Sequence, residues 1–509
     1  MANPLPMFTL FKASLLLLSI AALSACSSGS DSDDDDATAY VKFYNASADS
    51  PPIYLTLEDE DTSDDGYETT FQAISYTSSL SRASLPPNNY KAELAWQDED
   101  SSARSDLDLL HENNIAIEAD TTHWIVMSAS VESPSVLHFS VTERDETEVI
   151  EDSENDVFNL RLLNLHAEYQ NIDVFISAED ETFEQAQLIE TSVFESLSEN
   201  SKYAQDQYKI YIANADTNDV LYESGTISFS FNAQYVVAIR ENFGSGSSPF
   251  VVDQITNSGI LSHPAAESVA KLSVFNGLDA HQLHADYAKK IDVTLIHQTS
   301  NGENNEIRHD IDALNFSDFS ETLLVDSGDF RMNIVNDAND TSFIENQLLQ
   351  LPENSHQTMF LYWSEEAVDD DGDDVIDENN DGIVDALRAK VNTVLVNNAT
   401  TLGLYHKQIE LLNISHSEDF SSVTAYFVKA NETISTAGNQ RSMLFGKSTT
   451  LNLINNTYQV FAIAEIDGVE IIIDDISITL DENSSNQYLL LVSDAQRASG
   501  HKLQFVDQF

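Results

Sequence analysis

The chain has 509 residues, 42% of them hydrophobic and 9% aromatic, which is enough apolar material for several packed cores and excludes a wholly disordered protein. It has 23 basic and 86 acidic residues, giving a formal net charge of −63 at pH 7. A polyanion of this size repels phosphate backbones and anionic head groups, so nucleic acid is excluded as a partner.

The first 25 residues have the features of a secretory signal peptide. Lys12 supplies the positive charge, and an apolar run over 13–23 follows it. The run is too short to span a bilayer, which requires about 20 apolar residues. The segment Leu23-Ser24-Ala25-Cys26 resembles the lipobox of bacterial lipoproteins. This resemblance implies that residues 1–25 are removed and that Cys26, the single cysteine of the chain, is acylated.

An acidic stretch follows the cysteine, and we predict that 26–38 is the lipidated Cys26 with a solvated tether. Ser27, rather than Asp, follows the cysteine. A residue other than Asp at this position resembles lipoproteins that are sorted to the outer membrane. The Asp run at 33–36 is most simply a spacer, although in some Gram-negative bacteria such residues resemble a surface-export signal. We therefore predict a lipid-anchored outer-membrane protein, on the cell surface or the periplasmic face.

The rest of the chain contains four copies of one unit, each marked by three anchors in the same order. The first anchor is an alternating strand that ends in Asn, the second is a turn followed by an aromatic residue, and the third is an apolar strand. The anchors are Asn45, Asn164, Asn276 and Asn413; Tyr90, Tyr208, Phe330 and Tyr458; and the segments 124–127, 235–238, 359–362 and 488–491.

Within each unit, short runs rich in Val, Ile, Tyr, Phe and Leu alternate with polar residues and are separated by Asn, Asp, Ser and Pro. This pattern predicts an all-β chain of four tandem antiparallel β-sandwich domains, immunoglobulin-like in plan, with about seven strands each. The predicted domains span residues 39–150, 156–262, 268–402 and 405–509.

The opening VKFYNASADSPPIYLTL at 41–57 and the turn LPPNNYKAEL at 85–94 resemble the bacterial domain of unknown function 4397 family. The first unit matches best, the second and third match less well, and the fourth rests mainly on the anchors. The resemblance implies an extracytoplasmic, often lipid-anchored protein with tandem β domains. The family has no established catalytic residues, so no site is implied.

An Asp-rich insert occupies residues 369–385 of the third unit and predicts a calcium site, because Ca²⁺ prefers six to eight oxygen ligands. Arg388 stands where an EF-hand has its bidentate Glu, so the segment looks more like the acidic calcium repeats of thrombospondin type 3. The alternative is an acidic hairpin loop, since Asp-Gly is itself a turn signal. The predicted ligands are Asp377, Asn379, Asp381 and Asp385, preceded by a partial copy with Asp369, Asp371 and Asp373.

Three other sets of residues invite a functional interpretation, each with a simpler structural one. His281, His284 and Asp286 have transition-metal spacing, but histidines of a surface loop are more often merely polar. The repeated asparagines are better explained as closing the turn after the first strand. The tryptophans could stack on sugar rings, but aromatic residues on alternating strands more often belong to the core. They are Trp96, Trp124 and Trp363.

The sequence has no Gly-x-Ser-x-Gly, no His-Glu-x-x-His and no phosphate-binding glycine loop. We therefore predict a non-enzymatic cell-envelope lipoprotein that acts as a spacer or adhesion module and is stiffened by calcium. The expected partners are the membrane, through the anchor, and a glycan or protein at the cell surface. The alternative is a glycan- or small-ligand-binding lipoprotein. A hydrolase would require an acid–base pair that the sequence does not show.

Overall fold

A computed structural model shows that the described part of the chain consists mainly of β strands, with little helix. The structure describes residues 38–59, 67–98, 101, 103–215, 217, 219–266, 268–298, 306–368 and 386–508. Eight sheets enclose four separate apolar cores, one for each pair of sheets. The predicted all-β sandwich architecture is confirmed. We number the sandwiches 1 to 4 along the chain.

Sandwiches 1 and 2 contain nineteen described strands. Those of sandwich 1 are β1 Ala39–Asn45, β2 Ile53–Asp59, β3 Glu68–Thr70, β4 Ser78–Ser79, β5 Ala83–Leu85, β6 Asn88–Trp96, β7 Asp108–Ile117, β8 Thr121–Ser128 and β9 Ser135–Thr142. Those of sandwich 2 are β10 Val157–Asn164, β11 Asn171–Ala178, β12 Gln187–Val193, β13 Ser201–Ala204, β14 Asp206–Asn214, β15 Val220–Glu223, β16 Ile227–Phe229, β17 Gln234–Glu241, β18 Phe250–Ile255 and β19 Ile260–His263.

Sandwiches 3 and 4 have eight described strands each, one more than the sequence pattern predicted. Those of sandwich 3 are β20 Val269–Asn276, β21 Lys290–Gln298, β22 Glu306–Asn315, β23 Leu323–Asp326, β24 Gly328–Asn336, β25 Ser342–Leu351, β26 His356–Val368 and β27 Ala386–Asn397. Those of sandwich 4 are β28 His406–Asn413, β29 Ser422–Val428, β30 Asn439–Leu444, β31 Ser448–Ile454, β32 Thr457–Ile466, β33 Val469–Thr479, β34 Gln487–Ser493 and β35 His501–Asp507.

One topology recurs in all four sandwiches. The first strand lies in the middle of one sheet, which we call the first sheet, and the second strand lies in the opposite sheet. In sandwich 3 the order of the first sheet is β23-β20-β26-β27, and that of the second sheet is β22-β21-β24-β25. The first strand runs parallel to the strand of the third anchor in every copy. The other pairs of named strands in the described residues are antiparallel.

The aromatic residue of the second anchor lies in the core and fixes the turn before it. Tyr90 donates a hydrogen bond to the carbonyl of Pro86 at 2.7 Å, and Tyr208 and Tyr458 make the same bond to the residue four positions upstream. Such a bond satisfies the hydroxyl while the ring fills the core. Phe330 has no hydroxyl, and the ring of His297 stacks on it at 4.8 Å.

The helices are short and connect strands. Helix α1, Glu146–Glu154, joins sandwiches 1 and 2 and is capped by Asp145, which accepts from the amide of Glu148 at 2.8 Å. Burial alone would raise the pKa of Asp152 in this helix, but hydrogen bonds from Lys202, Asn159 and Arg144 outweigh it and lower that pKa to about 2. Three 3₁₀ turns lie at Arg104–Asp106, Phe183–Gln185 and Ile434–Thr436.

Candidate functional site: the junctions between sandwiches

The two central strands of each first sheet are buried on both faces over most of their length. All eight residues of β8 are buried, although the sandwich core can cover only one face of this strand. The other face of the first sheet packs against a neighbouring sandwich. Burial on both faces explains why the third anchors are near-continuous apolar runs, since a strand with one solvated face alternates apolar and polar residues.

Sandwiches 1 and 2 pack through the outer faces of their first sheets. Tyr44 and Trp124 from sandwich 1 lie in one cluster with Val236 from sandwich 2. The remaining buried members are Val126, Val141, Leu163, Leu165, Ala238 and Ile255. The cluster is separate from the cores of both sandwiches, and it fixes the relative position of the two first sheets.

A buried carboxylate lies at the centre of this junction. Asp253 of sandwich 2 is fully buried and accepts a hydrogen bond from the Tyr44 hydroxyl of sandwich 1 at 2.6 Å. It also accepts from Arg240 Nε at 2.8 Å and Nη2 at 3.2 Å, and from Ser262 at 2.7 Å. Burial, together with the Asp253 charge, raises the pKa of Tyr44, so its hydroxyl remains a donor. Arg240 also donates to Tyr76 of sandwich 1 at 3.2 Å.

A buried lysine makes a second polar contact across the same junction. Lys42 of sandwich 1 is fully buried, and its Nζ donates to the Thr256 carbonyl of sandwich 2. Nζ also lies 4.8 Å from the centre of the Trp124 ring. Burial, and then the charge of Arg82, lowers the pKa of Lys42 to about 7. Alignment of the junction thus depends on several polar groups that water cannot reach.

Sandwiches 3 and 4 pack through their first sheets in the same way, with aromatic rings at the centre. Phe360 of sandwich 3 is fully buried, and its ring centre lies 5.5 Å from that of Phe275 and 5.0 Å from that of Tyr488 in sandwich 4. The Tyr488 hydroxyl bonds Thr358 at 2.7 Å and also Asn398. The other buried members are Tyr362, Val396, Leu412, Ile414, Leu490 and Val492.

Sandwiches 2 and 3 meet through loops. The loop 242–249 approaches Asn354, whose side chain donates to Asn242 at 2.9 Å and accepts from the amide of Gly246 at 2.6 Å. Ser245 donates to the Ser355 carbonyl at 2.7 Å. A Cβ on Gly244 would overlap the Asn354 side chain, so the close approach requires glycine at that position.

Sandwich 4 and the segment before it pack against sandwich 1. The rings of Tyr405 and Trp96 stack with centres 4.9 Å apart and planes 8° apart. The amide of Leu404 donates to the Asp49 carbonyl at 2.9 Å, and Ile454 packs on the edge of the sandwich 1 core. The four sandwiches therefore form a closed circuit of junctions, 1–2, 2–3, 3–4 and 4–1, and each sandwich is held on two sides.

The junction between sandwiches 4 and 1 is expected to weaken in acid. Burial, and then the charge of Lys407, lowers the pKa of His406 to about 4. The unfolded chain takes up this proton near pH 6.5, so the stabilising contribution is present above pH 6.5 and is lost as the pH falls to 4. We expect His406→Gln to remove about 2–3 kcal/mol of the stability loss between pH 7.5 and 4.5. Urea unfolding at both pH values measures this, and identical pH dependence in both proteins would contradict it.

The repeated asparagines close the turns as predicted. Each is fully buried, and its Oδ1 accepts from the amide two residues later, at 3.0 Å in the first three sandwiches and 3.2 Å in the fourth. In three copies the side-chain amide also donates to a carbonyl of the opposite sheet or of the following loop. These residues serve the fold and are not exposed to a ligand.

The three tryptophans are all buried, each 7% exposed, so none of them provides an open platform for sugar stacking. Trp124 lies in the junction of sandwiches 1 and 2, and Trp96 lies against Tyr405 in the junction of sandwiches 4 and 1. Trp363 belongs to the core of sandwich 3 and donates to the Asp279 carbonyl at 2.9 Å. Two of the three therefore mark junctions.

The structure does not bring His281, His284 and Asp286 together as metal ligands. His281 Nε2 lies 3.0 Å from Glu365, while the ring of His284 stacks on Trp363 with centres 5.0 Å apart. Asp286 accepts instead from Asn339 at 3.2 Å. Within the described ranges, no group of three or more His, Cys, Asp or Glu side chains is placed to hold a metal ion.

Cys26 and the whole Asp-rich insert lie outside the described residues. The strands that flank the insert are described, and β26 and β27 stay paired up to Val368 and Ala386. The residues that flank the insert, Val368 and Ala386, therefore lie side by side. In the part of the chain that the structure describes, no helix is long and apolar enough to cross a membrane.

No protein-family model and no curated protein match this chain. Among solved structures, the TIE protein of Bacillus anthracis is similar at 9% identity and a TM-score of 0.14, covering 91% of this chain and 75% of that one. A candidate adhesin from Bacteroides ovatus is similar at 9% identity and a TM-score of 0.13, covering 44% of this chain and 94% of that one. The major pilin subunit of Bacillus cereus is similar at 11% identity and a TM-score of 0.13, covering 66% of this chain and 98% of that one. TM-scores of this size transfer no activity, ligand or partner.

Proposed function

We propose that this protein is a non-enzymatic cell-envelope lipoprotein whose four β-sandwiches act together as a rigid spacer or adhesion module. The observation that carries the proposal is the closed circuit of junctions, which holds each sandwich on two sides. Flexible linkers between independent domains would leave the outer faces of the first sheets in water. A spacer or display module has to hold its shape under load, and buried junctions supply that stiffness.

The polar groups inside the junctions support a fixed geometry more strongly than apolar contact alone. Asp253 and Lys42 are both fully buried, and each has a partner across the junction between sandwiches 1 and 2. A buried carboxylate such as Asp253, or a buried polar group such as the Lys42 amine, is destabilising once it loses its partner, so sliding of one sandwich over the other is penalised. An apolar interface without such groups would tolerate several registers.

The proposed anchor is the acylated Cys26, with 27–38 as its tether. Acyl chains stabilise membrane attachment by about 0.8 kcal/mol per buried CH₂ group, and two or more chains give stable anchoring. The net charge of −63 makes direct adsorption to anionic lipid unfavourable, which is consistent with attachment through a lipid and an acidic tether. We place the protein at the outer membrane.

Calcium binding by the Asp-rich insert is part of this proposal. What supports it is the alternation of carboxylate residues in the sequence of the insert, which suits the oxygen ligands of Ca²⁺, and the pairing of the flanking residues Val368 and Ala386. We expect 5 mM Ca²⁺ to raise the Tm of the full chain by several degrees, since a ligand that binds only the folded state stabilises it. The double substitution Asp377→Asn with Asp381→Asn is expected to abolish this shift.

Mg²⁺ at the same concentration is the ionic-strength control for the calcium experiment. The matched control variant is Asp180→Asn with Asp206→Asn, which removes the same charge from exposed positions of sandwich 2. An equal Tm shift with both ions, or a calcium shift that survives in the insert variant, would show that the insert has no calcium site.

Protease digestion of intact cells tests the proposed location and anchoring. Full-length protein with an internal tag is expected to be degraded by external protease while a periplasmic marker survives, and Cys26→Ser is expected to release the protein from the membrane fraction. Protection until the outer membrane is breached would place the array in the periplasm and remove the adhesion role. Membrane attachment that persists in the Cys26→Ser variant would contradict the anchor.

A further inference from the structure

A polar cavity of about 120 Å³ lies where sandwich 1, the segment 399–403 and sandwich 4 meet. A single buried water needs roughly 10–15 Å³ of such space, so the cavity has room for one small molecule. The loop after β1 and the segment around Tyr76 form one wall, and β28 and β31 form another. The cavity is therefore assembled only when sandwiches 1 and 4 are in contact.

Several polar groups lining the cavity are unused. Gln408 and Asn452 are cross-strand partners on β28 and β31, and their side-chain amides make no hydrogen bond within the described part of the chain. The same is true of the Thr401 hydroxyl. His406 Nδ1 is buried without a partner among the described residues. Thr401 and Gln408 are half-buried and Asn452 is exposed, so of these four groups only His406 Nδ1 is both buried and without a partner. Buried polar atoms are normally satisfied, so this nitrogen at the cavity wall points to a molecule that occupies the cavity and bonds it.

The lining carries no ionised side chain. Not one of its twelve residues is Asp, Glu, Lys or Arg, although the chain as a whole is 21% charged. His406 is neutral at pH 7, because burial, and then the Lys407 charge, lowers its pKa to about 4. Lys407 and Asp49 act on His406 from outside the lining, so an ion in the cavity would find no counter-charge in direct contact, and burying it is unfavourable. The lining therefore favours an uncharged ligand with many hydrogen-bonding groups.

We propose that this cavity binds a neutral polyhydroxylated molecule, in chemical class a monosaccharide or the terminal sugar of an oligosaccharide. Amide and hydroxyl side chains both donate and accept, which matches sugar hydroxyls that do the same. The Gln408 and Asn452 amides supply a pair of contacts from one wall, and Thr401 and His406 supply contacts from beside them. This site goes beyond the proposed spacer function and does not depend on where the protein is located.

Isothermal titration of the full chain carrying Cys26→Ser tests the proposal. The probes are glucose, galactose, mannose, xylose and N-acetylglucosamine, with glucuronate and glucosamine as ionic counterparts. At least one neutral sugar is expected to bind, and the ionic counterparts are expected to bind at least tenfold more weakly. Disaccharides that end in the sugar that binds are tested next. Binding of the disaccharide as well as the monosaccharide indicates a site for the end of a glycan, and binding of the monosaccharide alone indicates a site for a free sugar.

Two cavity variants and one matched control complete the experiment. Gln408→Ala removes an amide and is expected to weaken binding about five- to tenfold, and Gln408→Trp fills the space and should abolish it. Gln496→Ala, at an exposed turn of sandwich 4, is expected to bind as the wild type does. The proposal is overturned if no neutral sugar binds at 10 mM, if the ionic sugars bind equally well, or if Gln408→Ala leaves binding unchanged.

Discussion

Replacing Asp253 by alanine is expected to destabilise sandwiches 1 and 2 by about 3–5 kcal/mol. The substitution leaves the Arg240 guanidinium buried without its carboxylate, and it removes the acceptor of the Tyr44 hydroxyl across the junction. A buried charge without a partner costs far more than the loss of one surface ion pair. Urea unfolding followed by tryptophan fluorescence measures this effect, because Trp124 lies in the same junction.

The matched control is Asp180→Ala, at an exposed position of sandwich 2, which removes the same charge and is expected to change stability by less than about 0.5 kcal/mol. The double variant Asp253→Ala with Arg240→Met removes both charges and should recover part of the loss. An Asp253→Ala protein as stable as its control would show that the buried network does not hold this junction.

Replacing Phe360 by alanine is expected to cost about 3–5 kcal/mol and to open the junction between sandwiches 3 and 4. The ring is fully buried between Phe275 and Tyr488, so its removal leaves a cavity between the two first sheets. Small shifts of the neighbouring side chains cannot fill this cavity. The expected sign of opening is faster limited proteolysis in the segment 398–405, which links the two sandwiches.

Phe231→Ala is the control for this substitution, because Phe231 is 73% exposed. It is expected to leave stability and proteolysis close to the wild type. Loss of stability in Phe360→Ala without faster cleavage of 398–405 would mean that the ring stabilises sandwich 3 alone and that the junction has other determinants.

The sequence was enough to predict the repeated unit because its signals are local. Asn45 and its three counterparts form a turn with the amide two residues away, and Tyr90 bonds a carbonyl four residues away. Contacts over such short separations leave a pattern that recurs in every copy. Strand pairing between the first strand and the third anchor was not predicted, because it joins segments about 80 residues apart with no local mark.

The junctions could not be read from the sequence in the same way, although one signal was present. Segments such as 124–127 and 488–491 are apolar at consecutive positions, which indicates a strand buried on both faces. That signal says that a partner exists and does not say which sandwich it is. Asp253 shows the difficulty: its partner Tyr44 lies 209 residues away, and among 86 acidic residues nothing in the sequence marks this carboxylate as buried.

The central claim is that four sandwiches form one rigid body, and a pulsed electron paramagnetic resonance distance measurement tests it most directly. Nitroxide labels at Leu188→Cys in sandwich 2 and Val469→Cys in sandwich 4, in a Cys26→Ser chain, occupy positions that are 51% and 59% exposed. The two sandwiches are not neighbours in sequence, so the distance between the labels is fixed only if the junctions are closed. We predict a single narrow distance distribution, and a broad distribution spanning tens of ångströms would show that the sandwiches move independently.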